Sequence, residues 1–309
     1  MSYPIEKKFV IAVSSSALFD MQESNKIFKE KGETEYRLYQ EQNIDKPFDK
    51  GVAFPFISRL LHLNEAFIEE QPIEIILLSK NSPESGLRAM RTIAFYGLNI
   101  TRACFSSGRS NFQYLPAFNA SLFLSDDPEA TREAVEKGYA AGTILHGEVQ
   151  DDMNDKELRL AFDFDGVIAD DSSEKYLKEK KENLQAYMQH EKEYSNSPLA
   201  KGPIANLLQK ISFFQKLEKR KERHDNSYKR MLYTSIVTAR NAPAHERVVT
   251  TLKSMDIEVD EVFFLGGINK NNILKILKPH IFFDDQMPNL SELDVPAVHI
   301  PFGIRNTNE

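Results

Sequence analysis

Short apolar runs separated by helix-like stretches recur along the whole of this chain, and that alternation constrains its fold more than any other feature. In the first half the runs are Phe9-Val10-Ile11-Ala12-Val13, Ile75-Ile76-Leu77-Leu78, Ala103-Cys104-Phe105 and Leu122-Phe123-Leu124. In the second they are Leu160-Ala161-Phe162, Ser235-Ile236-Val237, Val262-Phe263-Phe264-Leu265 and Ile281-Phe282-Phe283. Unbroken apolar character marks strands buried on both faces of a sheet. Between the runs, residues 84–96 follow Ser82-Pro83, Pro128 opens a helix predicted over 128–141, residues 243–255 follow Pro243, and 270–277 reads as a further helix. Strands alternating with helices predict an α/β protein built on a parallel, Rossmann-like sheet.

At 309 residues the chain is long enough for about two domains. Its landmarks also repeat. One offset carries Ser79 onto Thr238, Gly108 onto Gly267, Phe123 onto Phe282 and Asp126 onto Asp285. Slightly shorter offsets carry Pro47, Lys50 and Gly51 onto Pro198, Lys201 and Gly202, and Ser14 and Ser16 onto Asp163 and Asp165. Two pseudo-repeated lobes are therefore predicted, 1–150 and 151–309, joined through the polar stretch from Glu148 to Asp155. The second lobe carries a helical insertion at about 172–230. Its extra length, 203–233, contains the one basic run, Lys216-Leu217-Glu218-Lys219-Arg220-Lys221-Glu222-Arg223. A solvated helix of mixed charge accounts for that run better than a nucleic-acid surface does.

Composition narrows the partners. A net charge of −7 argues against broad nucleic-acid binding. No apolar run approaches the ~18–20 residues of a membrane span, and Met1 to Lys8 lacks the apolar segment of a signal peptide. The single cysteine, Cys104, rules out an intrachain disulfide; it is expected to be buried and inert. A cytoplasmic protein with no membrane or nucleic-acid partner is expected. His146, His280 and His299 flank strands without metal-ligand spacing and are expected to be core or rim residues.

The chemistry-bearing residues stand where strands end. Asp163-Phe164-Asp165-Gly166-Val167 follows the run ending at Phe162. Two carboxylates two residues apart repel one another and call for a cation, and ligands bind at the carboxyl edge of a parallel sheet. Three landmarks follow in order: Thr238 after Ile236-Val237, Lys270 after Gly266-Gly267, and Asp284-Asp285 after Ile281-Phe282-Phe283. Taken singly, Thr238 or Asp284 would serve as a helix cap and Lys270 as a surface lysine.

Acidic pair, hydroxyl, lysine and acidic pair, in that order, resemble the four motifs of the haloacid dehalogenase superfamily. That resemblance implies Asp163 as the nucleophile on phosphorus and Asp165 as general acid and base. It implies Mg²⁺ at the carboxylates of Asp163 and Asp285, the backbone carbonyl of Asp165 and the neighbouring Asp284. Thr238 and Lys270 would hold the phosphoryl oxygens. Ala239 and Arg240 would line the substrate side.

Ala12-Val13-Ser14-Ser15-Ser16-Ala17-Leu18-Phe19, Ala53-Phe54-Pro55-Phe56, Val237-Thr238-Ala239-Arg240 and Pro279-His280-Ile281-Phe282-Phe283-Asp284-Asp285-Gln286-Met287 resemble the cytosolic 5′-nucleotidase type I family. The resemblance runs from about residue 9 to 303. It implies a Mg²⁺-dependent, cytosolic hydrolase of nucleoside 5′-monophosphates. Phe164 and Gly166 depart from that family, whose vertebrate members have glycine and alanine there. The rivals are a nucleoside phosphotransferase, another small-molecule phosphatase of the superfamily, or a nucleotide sensor without turnover.

The first half lacks the reactive set: Ser14 and Ser16 stand for the carboxylates and Asn111 for the lysine, while Asp126 remains. Ser14-Ser15-Ser16, Ser79-Lys80-Asn81, Ser107-Gly108-Arg109 and Asp126 are predicted to converge on a sheet edge. There they would hold a nucleotide effector or serve only as scaffold. A homo-oligomer is also expected.

Overall fold

The computed structural model describes residues 5–147, 151–152, 154–291 and 293–306. The polar stretch predicted as a linker lies partly outside them, as do Met1 to Pro4. The chain divides into two compact units: Met1–Ala134 with Thr143–Asn154, and Val135–Gly142 with Asp155–Glu309.

The first unit opens with β1 (Phe9–Val13), α1 (Ser15–Leu18), β2 (Phe19–Asp20), α2 (Gln22–Gln42), β3 (Asp49–Lys50) and α3 (Phe54–Ala66). It continues through β4 (Ile73–Ser79), α4 (Pro83–Phe95), β5 (Arg102–Phe105), β6 (Ala120–Ser125) and α5 (Pro128–Glu136) to β7 (Ala141–Ile144), whose Thr143 and Ile144 belong to it. β1 pairs in parallel with β4 and β6, and β4 with β5. The strand order is β5-β4-β1-β6-β7. Every residue of β1 and β4 is buried, as their apolar runs require. β5 is the edge strand and only half-buried, so Cys104 is half-buried rather than buried. β2 and β3 form a separate antiparallel pair.

The second unit contains β8 (Leu158–Phe162), α6 (Ser172–Glu179), α7 (Leu184–Glu193), α8 (Ala205–His224), β9 (Leu232–Thr238) and α9 (His245–Ser254). β10 (Glu261–Phe264), α10 (Lys270–Leu277), β11 (Ile281–Asp284), α11 (Met287–Leu290) and β12 (Ala297–His299) complete it. β8 pairs in parallel with β9 and β11, β9 with β10, and β11 with β12, in the order β10-β9-β8-β11-β12. Numbered by appearance within its unit, each set of five runs 3-2-1-4-5, the order of one edge of a doubly wound nucleotide-binding sheet. The α/β class with parallel strands is as the sequence implies.

Some bounds differ from expectation, for local reasons. The helix opened by Pro128 stops at Glu136, because Gly138 takes φ +83 and turns the chain into β7. The helix after Pro243 begins only at His245, with Pro243 in the turn before it. The basic run lies on α8, which buries Leu207, Leu208, Ile211 and Phe214. Lys216 pairs with Asp256 at 2.9 Å and Lys219 with Glu258 at 3.3 Å. Within the same run Glu218 is buried and accepts from the backbone N–H groups of Met231 and Leu232. The face is therefore a solvated one of mixed charge. Of the histidines, His146 is exposed. His280 Nδ1 accepts from Arg159 N at 3.0 Å, and His299 Nε2 donates to the Asp285 carbonyl at 3.0 Å. No helix among the described residues is long and apolar enough to cross a membrane.

Candidate active site

Asp163 follows β8 directly, and its N–H donates to the Phe283 carbonyl of β11 at 2.7 Å. Phe162 and Phe283 stack beneath it with ring centroids 5.0 Å apart. This apolar floor brings Asp163 beside Asp284 and Asp285. Lys270, the first residue of α10, reaches both acidic motifs: its Nζ lies 2.9 Å from Asp163 Oδ2 and 2.6 Å from Asp284 Oδ2. Asn269 caps α10 by accepting from Asn271 N, which fixes where the lysine leaves the helix. Gly166 adopts φ +71, and a Cβ there would stand 2.4 Å from Asp285 Oδ2. In this chain glycine takes that backbone without strain and leaves room for the close approach.

Carboxylate atoms of Asp163, Asp284 and Asp285 lie within 4.8 Å of one another, all three residues buried. Asp284 is already well served, since its oxygens accept from Lys270, Gln286 N and Asn289 Nδ2. By contrast, Asp163 Oδ1 and both carboxylate oxygens of Asp285 are buried without a hydrogen-bond partner. Buried, unpaired carboxylate oxygens are costly. Hard oxygen donors converging in this way could hold a metal ion, most directly through Asp163 and Asp285. Burial pushes the Asp163 carboxyl up to about 7, against the pull of Lys270 and with the push of Asp284 and Asp165. Burial, then Asp163, Glu174 and Asp284, push Asp285 up to about 10. Burial opposes the Lys270 charge, but Asp163 and Asp284 outweigh it and hold the ammonium above its usual range. One lysine is too little positive charge for three buried carboxylates.

Asp165 turns away from this cluster and contributes no side-chain atom to it. Arg240 grips it with both arms, Nε to Oδ2 at 2.8 Å and Nη2 to Oδ1 at 2.7 Å. The guanidinium also meets Ser173 Oγ at 2.8 Å and the Glu191 carboxylate. Glu191, fully buried on α7, accepts in turn from Arg247 Nη1 at 2.9 Å and Ser173 Oγ at 2.9 Å. Burial would raise the Glu191 carboxyl, but Arg240 and Arg247 hold it below its usual range. The insertion helices thus connect to the second motif carboxylate through a buried Arg–Glu–Arg relay. Thr238 is buried at the end of β9 and its Oγ1 accepts from Arg240 N at 3.2 Å; Ala239 between them is exposed.

Residue patterning singled out Asp163, Asp165, Thr238, Arg240, Lys270, Asp284 and Asp285. It passed over Glu191, Arg247, Ser173, Asn289 and Glu174. Glu174 is held by Gln286 Nε2 at 2.8 Å, and its carboxyl is pushed up to about 7 by burial and by Asp165. A serine at the start of a helix and charges within helices carry no sequence signal until packing buries them.

A family model described as 5′-nucleotidase matches residues 1–307. Human cytosolic 5′-nucleotidase 1B is 34% identical over 283 residues, covering 90% of this chain and 46% of that protein. The chain thus spans about half the length of this curated relative. A solved structure, "S. aureus MnaA-UDP co-structure", aligns with 93% of this chain and 76% of its own at 11% identity, with a TM-score of 0.17. That score supports no statement about shared architecture.

Proposed function

Because the chain belongs to the 5′-nucleotidase family, we propose that it is a cytoplasmic phosphoric monoester hydrolase that converts a nucleoside 5′-monophosphate and water to nucleoside and phosphate. The observation that carries the proposal is the strand-end cluster, in which Lys270 ties Asp163 to Asp284 while Asp163 Oδ1 and the Asp285 carboxylate stay unpaired. Asp163 and Asp285, with Asp284 and the backbone carbonyl of Asp165 beside them, would hold Mg²⁺, which when bound screens nucleophile from phosphate. The lobe at 151–309, which carries both acidic motifs, is the catalytic one in this reading, and 1–150 a degenerate copy; the shared 3-2-1-4-5 strand order supports it.

The carboxylate of Asp163 attacks phosphorus and the nucleoside alkoxide departs, leaving an aspartyl phosphate. Asp165 gives its proton to that alkoxide. It then takes one from the water that attacks the phosphorus, which frees phosphate and restores Asp163. The Arg240 fork holds the Asp165 carboxyl group away from the acidic cluster, so proton transfer requires Asp165 to release at least one arm of it. Lys270 and Thr238 stabilise the phosphoryl oxygens, and Ala239 and Arg240 border the substrate. Response to a nucleotide effector and assembly into a homo-oligomer belong to the same proposal.

The test is phosphate release from a panel of nucleoside 5′-monophosphates in Mg²⁺. Asp163→Asn keeps the shape and removes the nucleophile, so turnover falls by about 10³-fold with the fold intact by circular dichroism. Retention of more than a tenth of wild-type turnover removes Asp163 as nucleophile.

A further inference from the structure

The first unit contains a cavity of about 490 Å³, within the range typical of small-molecule sites. It lies at the carboxyl ends of β1, β4 and β6, where Ser14, Ser79 and Asp126 line it. It is therefore the counterpart, in its own unit, of the strand-end cluster around Asp163. Its chemistry is different. Among its lining residues the one lysine, Lys80, faces three carboxylates, Glu33, Asp126 and Asp127, and is already bound to Asp127 at 2.5 Å. Arg109, predicted to help hold an anion, is exposed and does not line the cavity. A phosphate would meet more negative charge than positive there.

What the cavity offers is hydroxyls, amides and an aromatic rim. Asn111 stands at the position that Lys270 occupies in the repeat, and 98% of it is buried, since only 2% is exposed. It lines the cavity and its Oδ1 has no hydrogen-bond partner. Asn81 Nδ2, also in the lining, is buried and unpaired, while its Oδ1 accepts from Tyr36 OH at 3.0 Å. Two orphaned amide atoms of opposite polarity mark a place for a neutral ligand with both donors and acceptors. Asp126 Oδ1 accepts from Ser14 and Ser16, which keeps a carboxylate beside the cavity as a partner for a vicinal diol. Phe28, half-exposed, stands edge-on to Tyr36 at 5.6 Å and gives a heterocycle an aromatic surface.

We propose that the first unit binds an uncharged nucleoside in this cavity, its pentose hydroxyls toward Asp126 and Asn111 and its base against Phe28. The site is non-catalytic: serines replace both motif carboxylates. The proposal does not depend on the hydrolytic reading of the second unit.

The experiment is isothermal titration of the full chain with adenosine, ribose and inorganic phosphate, in wild type, Asn111→Leu and Phe28→Ala. Phe28 is exposed enough that its truncation does not threaten folding, and thermal melting checks Asn111→Leu. Adenosine binding is expected to weaken about tenfold or more in each variant, with phosphate release from nucleoside monophosphates unchanged. Ribose alone should bind more weakly than adenosine and be insensitive to Phe28→Ala. The proposal is overturned if wild type shows no adenosine binding, or if the variants bind adenosine as wild type does. Inorganic phosphate binding that Asn111→Leu abolishes would equally overturn it, by making the cavity an anion site.

Discussion

Gly166→Ala tests how tightly the candidate site is built. The new methyl would stand 2.4 Å from Asp285 Oδ2 and 2.6 Å from its Cγ. Relief to ordinary contact distance requires the buried carboxylate to retreat by about 1 Å. A displacement of that size at a reacting centre costs about 10²-fold in rate. The backbone contributes separately. Holding alanine at φ +71 costs about 1–2 kcal/mol, or roughly 2–8 °C of melting temperature in a protein of this size. Gly138→Ala separates the two effects, since Gly138 has φ +83 and nothing within 4 Å of a Cβ. It should lose similar stability and keep its activity. The assays are phosphate release at saturating Mg²⁺ and thermal melting. If Gly166→Ala keeps activity within threefold of wild type, or Gly138→Ala loses as much activity as Gly166→Ala, the crowding argument is wrong.

The remaining predictions concern charge. Glu191→Gln leaves Arg240 and Arg247 buried without their shared counter-charge, so urea unfolding should show a loss of about 3 kcal/mol; a loss under about 1 kcal/mol would mean the relay is solvated. Adding Mg²⁺ to chelator-treated protein should raise the melting temperature, the gain approaching about 2.7 kcal/mol at a hundredfold excess over Kd, and Asp163→Asn should diminish it. An unchanged melting temperature at all Mg²⁺ concentrations would refute the metal site. Burial would raise the Asp127 carboxyl, but Lys80 and the Ala130 and Glu129 amides hold it below its usual range. Its contribution is therefore present above the unfolded-state pKa and lost as pH falls through the lower folded value. Asp127→Asn should flatten the acid limb of stability against pH, and an identical limb would count against that pairing.

The strands most legible in the sequence were those buried on both faces. β1 is apolar throughout and β4 carries the run Ile75 to Leu78, all of it buried, with Glu74 at its start admitted beside Arg102. β7 and β12 escaped notice: Ala141-Gly142-Thr143-Ile144 and Ala297-Val298-His299 are short and mixed, and take their conformation from a neighbouring strand. In the site, the strand-end positions of Asp163, Thr238 and Asp284 were readable because an apolar run announces where each strand ends. Glu191 was not. It sits in α7 among Gln189, His190, Lys192 and Glu193, and one carboxylate among many charges becomes distinctive only when two buried arginines close on it. The direction of Asp165, toward Arg240 rather than the acidic cluster, was equally invisible, since spacing gives a residue's position but not its rotamer.

The order in which the site's charges occur along the chain has a consequence for synthesis and folding. Asp163 and Asp165 come first, Arg240 next, then Lys270, and only afterwards Asp284 and Asp285. The guanidinium that neutralises Asp165 and the ammonium that bridges the two motifs are both translated before the second acidic pair. β11, which carries that pair, docks on β8 across a separation of about 120 residues, a late and entropically costly closure. A nascent chain therefore never has to gather its full negative charge without a cation already in place, and the candidate site is complete only when the last strands have docked.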